Sequence, residues 1–210
     1  MVVGRLTRAL DRPVDLASMA VFRAAFGLAM AAAAVRFVAH GWVAQEFGAP
    51  RHFFHYWGLP WVHPWPLGGM YAEYAVMGAA ALGIALGVAY RASCLVFAIA
   101  FTHAHLCDKA NYLNHYYLVS LLAFLLALLP LDRTFSVRAL RHPEEQRGST
   151  RAWTLWLLRF QVACVYGFAA LAKVETDWLV HGEPLRIWLA ANAEVPVLGP
   201  LFQRPWAAIA

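Results

Sequence analysis

Apolar runs long enough to cross a lipid bilayer recur along this 210-residue chain and limit its fold more than any other feature. A spanning helix needs about 20 mainly apolar residues, because each residue adds about 1.5 Å and the hydrocarbon core is about 30 Å thick. Hydrophobic residues make up 61% of the chain, charged residues 14%, and the mean hydropathy is +0.53. This balance excludes an ordinary soluble domain and predicts an all-α, multi-pass transmembrane bundle.

The order of the apolar runs predicts the domain organisation. We expect a transmembrane domain over residues 1–180, with five spans at about 16–39, 70–90, 91–107, 112–130 and 152–174. Residues 181–210 are expected to form an interfacial or extracytoplasmic tail that leads into a further C-terminal region. The connection between the first two spans is rich in Trp, His and Pro, which is typical of a segment at the membrane–water interface.

Basic residues predict the orientation of the bundle, because cytoplasmic loops carry an excess of Lys and Arg. With the N-terminus inside, the nine inner basic residues are Arg5, Arg8, Arg12, Arg91, Arg133, Arg138, Arg141, Arg147 and Arg151. The four outer ones are Arg51, Lys109, Arg186 and Arg204. The excess predicts a cytoplasmic N-terminus, in a membrane that we expect to be the bacterial inner membrane. The net charge of +5 is therefore assigned to topology, and no nucleic-acid partner is expected.

Lys173 stands at the far end of the last apolar run and is the strongest candidate for a functional residue. An ionisable side chain within a span is costly, and the chain has only two lysines against fifteen arginines. Unlike arginine, a lysine in a low-dielectric pocket can lose its proton and act as a neutral-amine base. The alternative is that Lys173 extends to the interface and only anchors the helix end.

Several polar residues are predicted to lie at the same extracytoplasmic depth as Lys173. His115 and Asn114 are expected to contact an oxygen-bearing substrate, or alternatively to form hydrogen bonds between helices. The aromatic and histidine side chains around them predict a pocket for a flat, lipid-soluble quinol, whose expected lining residues are Trp61, Trp65, His103, Tyr166 and Trp178.

Other polar residues have structural interpretations. His103 and His105 are equally typical of interfacial residues, and Arg23 and Arg159 are expected to bind carbonyls or carboxylates near the inner face. Asp15 is the expected N-cap of the first span, and Glu73 is expected to cap the second. The three cysteines lack the spacing of a metal site, so no metal is expected.

Short motifs spread along the chain resemble the membrane domain of vitamin K-dependent γ-glutamyl carboxylase and its bacterial relatives, the HTTM-like proteins. The resemblance begins at Pro13–Ser18 and Val21–Gly27, and continues through Met70-Tyr71 and Leu86–Cys94. It then includes Asp108-Lys109 with Asn114-His115, and ends with Ala169–Trp178. These motifs follow the order of the family from about residue 13 to residue 180.

The resemblance implies an enzyme, a carboxylase that couples quinol epoxidation to carbon–carbon bond formation. Lys173 matches the lysine that deprotonates reduced vitamin K, a menaquinol- or phylloquinol-type hydroquinone, and His115 matches the histidine that assists it. In the family, O₂ then adds and a strong base forms away from water, which would otherwise quench it. This base removes the γ-proton of a peptidyl glutamate, CO₂ adds to the carbanion, and vitamin K leaves as the epoxide. The implied partners are the lipid bilayer, the lipid quinol and a glutamate-containing peptide.

Two other functions stay open from the sequence alone. The protein could oxidise or epoxidise a lipid quinol without carboxylating a peptide, because longer family members bind the substrate protein with a luminal domain. It could also be a non-catalytic or haem-binding bundle that uses a pair among His103, His105 and His115. A haem would need two histidines that face each other across helices.

Overall fold

The computed structural model describes residues 2–192 together with residues 194, 195 and 199. The chain divides into two compact units, residues 1–158 and residues 159–210, and each is described by itself. The boundary falls within the fifth predicted span. The predicted tail is described only as far as these residues, so most of residues 193–210 lies outside the described part.

The first unit is built from antiparallel helices in chain order. Its helices are α1 (Val2–Asp11), α2 (Ala17–Ala39), α3 (Leu67–Leu86), α4 (Tyr90–Leu106), α5 (Asn114–Leu128), α6 (Val137–Arg141) and the start of α7 (Ala152–Leu171). Helix α2 packs against α3, α3 against α4, and α4 against α5. The all-α fold predicted from the sequence is confirmed.

Close backbone approach holds α2 against α3. A Cβ atom added at Gly27 would lie 2.6 Å from the Ala81 carbonyl oxygen and 2.8 Å from the Ala85 Cα. Only a glycine fits at this crossing, which is the small-residue packing expected for helices in lipid. Aromatic side chains then fill the core between the helices, where Phe26 and Phe97 meet edge to face at 6.0 Å.

Buried polar contacts fix the end of the bundle that is predicted to be cytoplasmic. Arg23 of α2 is fully buried and donates to the carbonyls of Ile84 and Ala85, which end α3, at 2.6 and 2.9 Å. It also donates to the Phe135 carbonyl at 2.6 Å. Beside it, the Tyr90 hydroxyl donates to the Leu126 carbonyl at 2.8 Å. The expectation that Arg23 binds carbonyls is confirmed.

Two short strands, which the sequence did not indicate, close the same end. Strand β1 (Pro13–Asp15) pairs antiparallel with β2 (Ser149–Arg151), and Val14 lies opposite Thr150. The Ala152 N–H extends the pairing by donating to the Arg12 carbonyl at 2.9 Å. The prediction that Asp15 is the N-cap of α2 is wrong, because Leu16 occupies that position. The Asp15 side chain instead accepts from the Ala17 N–H at 2.7 Å from one residue further out.

The second unit contains the remainder of α7 followed by α8 (Thr176–Leu179) and α9 (Glu183–Ala191). Helix α7 ends at Leu171, three residues before the predicted end of the fifth span, so Lys173 lies in the turn after the helix. Helix α9 lies in the predicted tail and packs against α8.

Three helices of the described residues, α2, α3 and α7, are long and apolar enough to cross a membrane. Helices α4 and α5 have only 17 and 15 residues, so five spans and the orientation of the bundle stay predictions. Many large apolar side chains point outward, among them Val35, Ile99, Phe160 and Phe168, each more than 60% exposed. Such surfaces are typical of helices solvated by lipid.

Candidate functional site

A cavity of about 80 Å³ lies within the first unit, at the end of the bundle predicted to be extracytoplasmic. Its walls come from the second half of α2, the first half of α3, the second half of α4 and the start of α5. Two stacked aromatic pairs shape it: Phe37 on Tyr74 at 4.6 Å, and Phe97 on Phe101 at 5.4 Å. The ring of Tyr116 meets Phe101 edge to face at 5.6 Å and completes the aromatic wall.

Polar groups converge on this aromatic cavity. They are Glu46, Tyr74, His105, Asp108, Asn111 and Tyr116. An apolar enclosure with a few convergent polar groups is the usual form of a small-molecule site. Sequence reasoning did not select Glu46, Tyr74, Asn111 or Tyr116, because only the packing of four separate segments brings them together.

Asp108 joins the cavity to the Trp/His-rich connection. Its Oδ1 accepts from the Phe54 N–H at 3.2 Å and from the Ala110 N–H at 2.9 Å. The Lys109 N–H returns a bond to the Phe54 carbonyl at 2.8 Å. The carboxylate caps the 3₁₀ turn Lys109–Asn111 and holds the long connection in place.

Glu46 lies on a π-helical turn, Ala44–Gly48, within that long connection. Such turns are rare in proteins, and those that occur are often found at functional sites. In the described part of the chain the Glu46 side chain makes no hydrogen bond or ion pair. Burial raises the pKa of its carboxyl, and the neighbouring Asp108 carboxylate raises this pKa further.

The tautomer of His105 follows from its contact with the backbone. Its Nδ1 lies 3.0 Å from the Phe101 carbonyl oxygen, and a carbonyl can only accept. Nδ1 therefore carries the hydrogen, which leaves Nε2 of the neutral ring as an acceptor. The cavity thus has a carboxyl and an imidazole acceptor among its polar groups.

His103 takes part in a separate, partly buried pair. Its Nδ1 lies 2.8 Å from Glu73 Oε1, and its Nε2 lies 3.1 Å from the His63 carbonyl oxygen. The carbonyl requires a hydrogen on Nε2, so one further proton is shared between Nδ1 and the Glu73 carboxyl. The expectation that Glu73 caps α3 is wrong, because it lies beyond the first turn and bonds His103 across the helices.

This pair also bears on the predicted pocket and on the haem alternative. The Trp65 ring lies 5.2 Å from the His103 ring, so these two predicted pocket residues do meet. Trp61 is 72% exposed, and neither it nor His103 lines the aromatic cavity. A haem ligand needs a free ring nitrogen, and both nitrogens of His103 have protein partners. The structure therefore gives the haem alternative no support at His103.

The predicted catalytic residues lie in both units. Asn114 and His115 begin α5, are exposed, and belong to the first unit. The His115 ring packs at 4.7 Å on Tyr116, which lines the aromatic cavity. In the second unit Lys173 is exposed, and its Nζ lies 4.8 Å from the centre of the Trp178 ring. Tyr166, also in that unit, is 72% exposed.

The size of the cavity decides what it can hold in this conformation. A water molecule needs about 10–15 Å³ by this kind of measure, and an apolar cavity of about 150 Å³ admits benzene. The aromatic cavity therefore has room for about five waters rather than for a naphthoquinol ring.

The sequence of the chain matches a known protein family over most of its length. The family model described as the HTTM domain matches residues 11–210. The chain belongs to the HTTM domain family. This is the domain found in the vitamin K-dependent γ-carboxylase family, so the resemblance noted in the sequence is confirmed at the level of the family. No solved structure matches the chain.

Proposed function

We propose that this HTTM protein is a membrane enzyme that deprotonates and oxygenates a lipid hydroquinone, with Lys173 as the base. The observation that carries the proposal is family membership over residues 11–210, a range that includes the Asp108–His115 element and Lys173. Reduced vitamin K and O₂ are the proposed substrates. The alkoxide formed on oxygenation would then drive CO₂ addition to a peptidyl glutamate.

Accessibility of the proposed residues supports this chemistry. Asn114 and His115 are exposed in the first unit, and Lys173 is exposed in the second, so none of the three is enclosed within its own unit. His115 has Tyr116 against one side of its ring, which limits its orientation. We propose that His115 and Asn114 bind the quinol oxygen and that Lys173 takes its proton.

The contact between Lys173 and Trp178 sets a condition on the base. The proposed mechanism needs the Lys173 amine at a quinol hydroxyl, whereas in this conformation its Nζ lies over the Trp178 ring. The mechanism therefore requires the amine to leave Trp178 when substrate binds.

The experiment that tests the proposal measures epoxide formation from reduced vitamin K by detergent-solubilised protein. Lys173→Ala and Lys173→Arg should both lower turnover by about 100-fold or more, because arginine keeps the charge but cannot act as a base. Arg186→Ala, which removes another exposed cation of the second unit, should keep the wild-type rate. Activity that survives Lys173→Arg would exclude the base role.

The same assay separates carboxylation from quinol oxidation alone. With a glutamate-containing peptide and labelled bicarbonate, label in the peptide supports the carboxylase. Epoxide without label supports the second candidate, a quinol epoxidase. The resemblance assigns peptide binding in the family to a luminal domain, and this assay tests directly whether the present protein carboxylates a peptide.

A further inference from the structure

A second pocket, of about 500 Å³, lies at the opposite end of the first unit, which is predicted to face the cytoplasm. Four arginines line it: Arg91, Arg133, Arg147 and Arg151. One acidic residue, Asp11, lines it as well, so four positive charges and one negative charge leave +3. The hydroxyl residues Ser149, Thr150 and Thr154 add hydrogen-bonding groups.

Three segments of the chain bring these arginines together. Arg91 lies in the first turn of α4, Arg133 follows α5, and Arg147 and Arg151 lie in the segment just before α7. The Arg147 N–H donates to the Arg133 carbonyl at 3.1 Å, and pairing of β1 with β2 places Pro13 opposite Arg151. The positive-inside rule explains why arginines occur at this end. It does not explain their convergence on one pocket.

Local acids leave this charge largely uncompensated. Asp132 and Glu145 are both bound to Arg138, at 2.8 and 2.5 Å, and so are directed elsewhere. Asp11 reaches Arg151 only at 3.7 Å. In the described part of the chain the side chains of Arg91, Arg133 and Arg147 make no hydrogen bond or ion pair. Such guanidinium groups are ready to bind an anion, and phosphate matches their planar geometry.

The remaining walls indicate a lipid rather than a soluble anion. Leu16, Leu128, Pro130 and Trp153 form the apolar part of the pocket. Leu128 is 63% exposed and Trp153 is 37% exposed, so this apolar part continues onto the outer surface. Tryptophan is typical of the headgroup level of a membrane. A ligand with a phosphate on one side and hydrocarbon on the other fits both walls.

We propose that this basic pocket binds the phosphate headgroup of an anionic phospholipid, with Arg91, Arg133 and Arg147 on the phosphate and Leu128 and Trp153 against the glycerol and acyl groups. Basic pockets at the cytoplasmic ends of transmembrane helices commonly bind such headgroups. The site is separate from the aromatic cavity, and it does not depend on the proposed quinol chemistry.

The test is native mass spectrometry of the detergent-solubilised full chain, titrated with phosphatidylglycerol or with phosphatidylcholine. We expect phosphatidylglycerol to bind in preference. Each Arg→Gln change in the pocket should weaken binding about five-fold, since each basic group contributes about 1 kcal/mol near a lipid surface. The triple variant R91Q/R133Q/R147Q should weaken it about 100-fold.

A matched variant separates the pocket from general surface charge. R5Q/R8Q/R141Q removes the same number of arginines from the predicted cytoplasmic side, outside the pocket, and should bind phosphatidylglycerol like the wild type. Equal losses in the two triple variants would overturn the proposal. So would equal binding of the two lipids by the wild type.

Inorganic phosphate provides the remaining arm. Millimolar phosphate could raise the melting temperature of a protein that binds phosphatidylglycerol no better than phosphatidylcholine. This result would assign the pocket to a free anion and overturn the lipid proposal. A melting curve of each variant, monitored by the reaction of its buried cysteines with a fluorogenic maleimide, tests whether the variant is folded. A melting temperature like that of the wild type shows that the loss of binding is not a loss of fold. If R91Q/R133Q/R147Q does not fold, the single variants carry the same comparison.

Discussion

Arg23 provides the sharpest test of what holds the bundle together. It is 0% exposed, and its two terminal nitrogens donate to three carbonyls on α3 and on the segment after α5. Replacing it with leucine keeps an apolar stem but removes every one of these bonds. The buried carbonyls of Ile84 and Ala85 then lose a charged donor, and leaving buried acceptors unsatisfied is costly.

The expected cost follows from these bonds. A hydrogen bond to a charged group contributes about 1.5–3 kcal/mol, and two donating nitrogens give about 3–6 kcal/mol for Arg23→Leu. For a chain of this length, 1 kcal/mol corresponds to about 2–4 °C in melting temperature. The melting temperature of Arg23→Leu should therefore fall by about 10 °C.

The structure supplies both the assay and the control. Cys94 and Cys107 are fully buried, so a fluorogenic maleimide reacts with them only as the bundle unfolds. All variants carry Cys164→Ala, which removes the half-exposed third thiol. Arg36→Leu removes an exposed arginine of the same helix, whose contact is a Trp42 ring at 5.0 Å, and should cost under about 1 kcal/mol. If Arg23→Leu melts no lower than Arg36→Leu, the carbonyl contacts do not stabilise the fold.

Three further predictions use the same melting assay. Gly27→Ala should lower the free energy of unfolding by about 2 kcal/mol or more, because its Cβ would lie 2.6 Å from the Ala81 carbonyl oxygen. Gly78→Ala, whose Cβ would lie 3.8 Å from the Ala34 Cβ, should be neutral or slightly stabilising. Similar effects of the two changes would contradict the close approach of α2 and α3. Glu73→Ala should lower the free energy of unfolding by about 1–3 kcal/mol, because His103 then loses the partner that orients it toward the His63 carbonyl. The same change should speed proteolysis between His40 and Gly69. Unchanged cleavage would show that the pair does not hold this connection in place. Burial raises the folded-state pKa of Glu46 above its unfolded value of about 4.3. As the pH rises from that value through the folded pKa, the wild type should therefore lose stability relative to Glu46→Gln. A gain in the stability of the wild type relative to Glu46→Gln over that interval would contradict this reasoning.

Much of the architecture was predictable because hydrophobic length depends only on local composition. The apolar runs predicted helices at all five observed positions from α2 to α5 and α7, within a few residues at most ends. The ends differ where a local signal competes: α3 stops at Leu86 because Gly87, at φ +68°, terminates it, and α7 stops at Leu171 before Lys173. The strands β1 and β2 were missed because three-residue segments have no periodicity to detect.

The sequence by itself determined the membrane class, the family and the identity of the residues capable of acid–base chemistry, since these depend on composition and on motif order along the chain. Only the tertiary structure decided which polar groups meet. Glu73 bonds His103 across 30 positions of sequence, and Glu46 shares a cavity with Asp108, because helix packing rather than chain order sets these distances. The same physics applies to the four pocket arginines: their number is a property of the loops, but their convergence is a property of the fold.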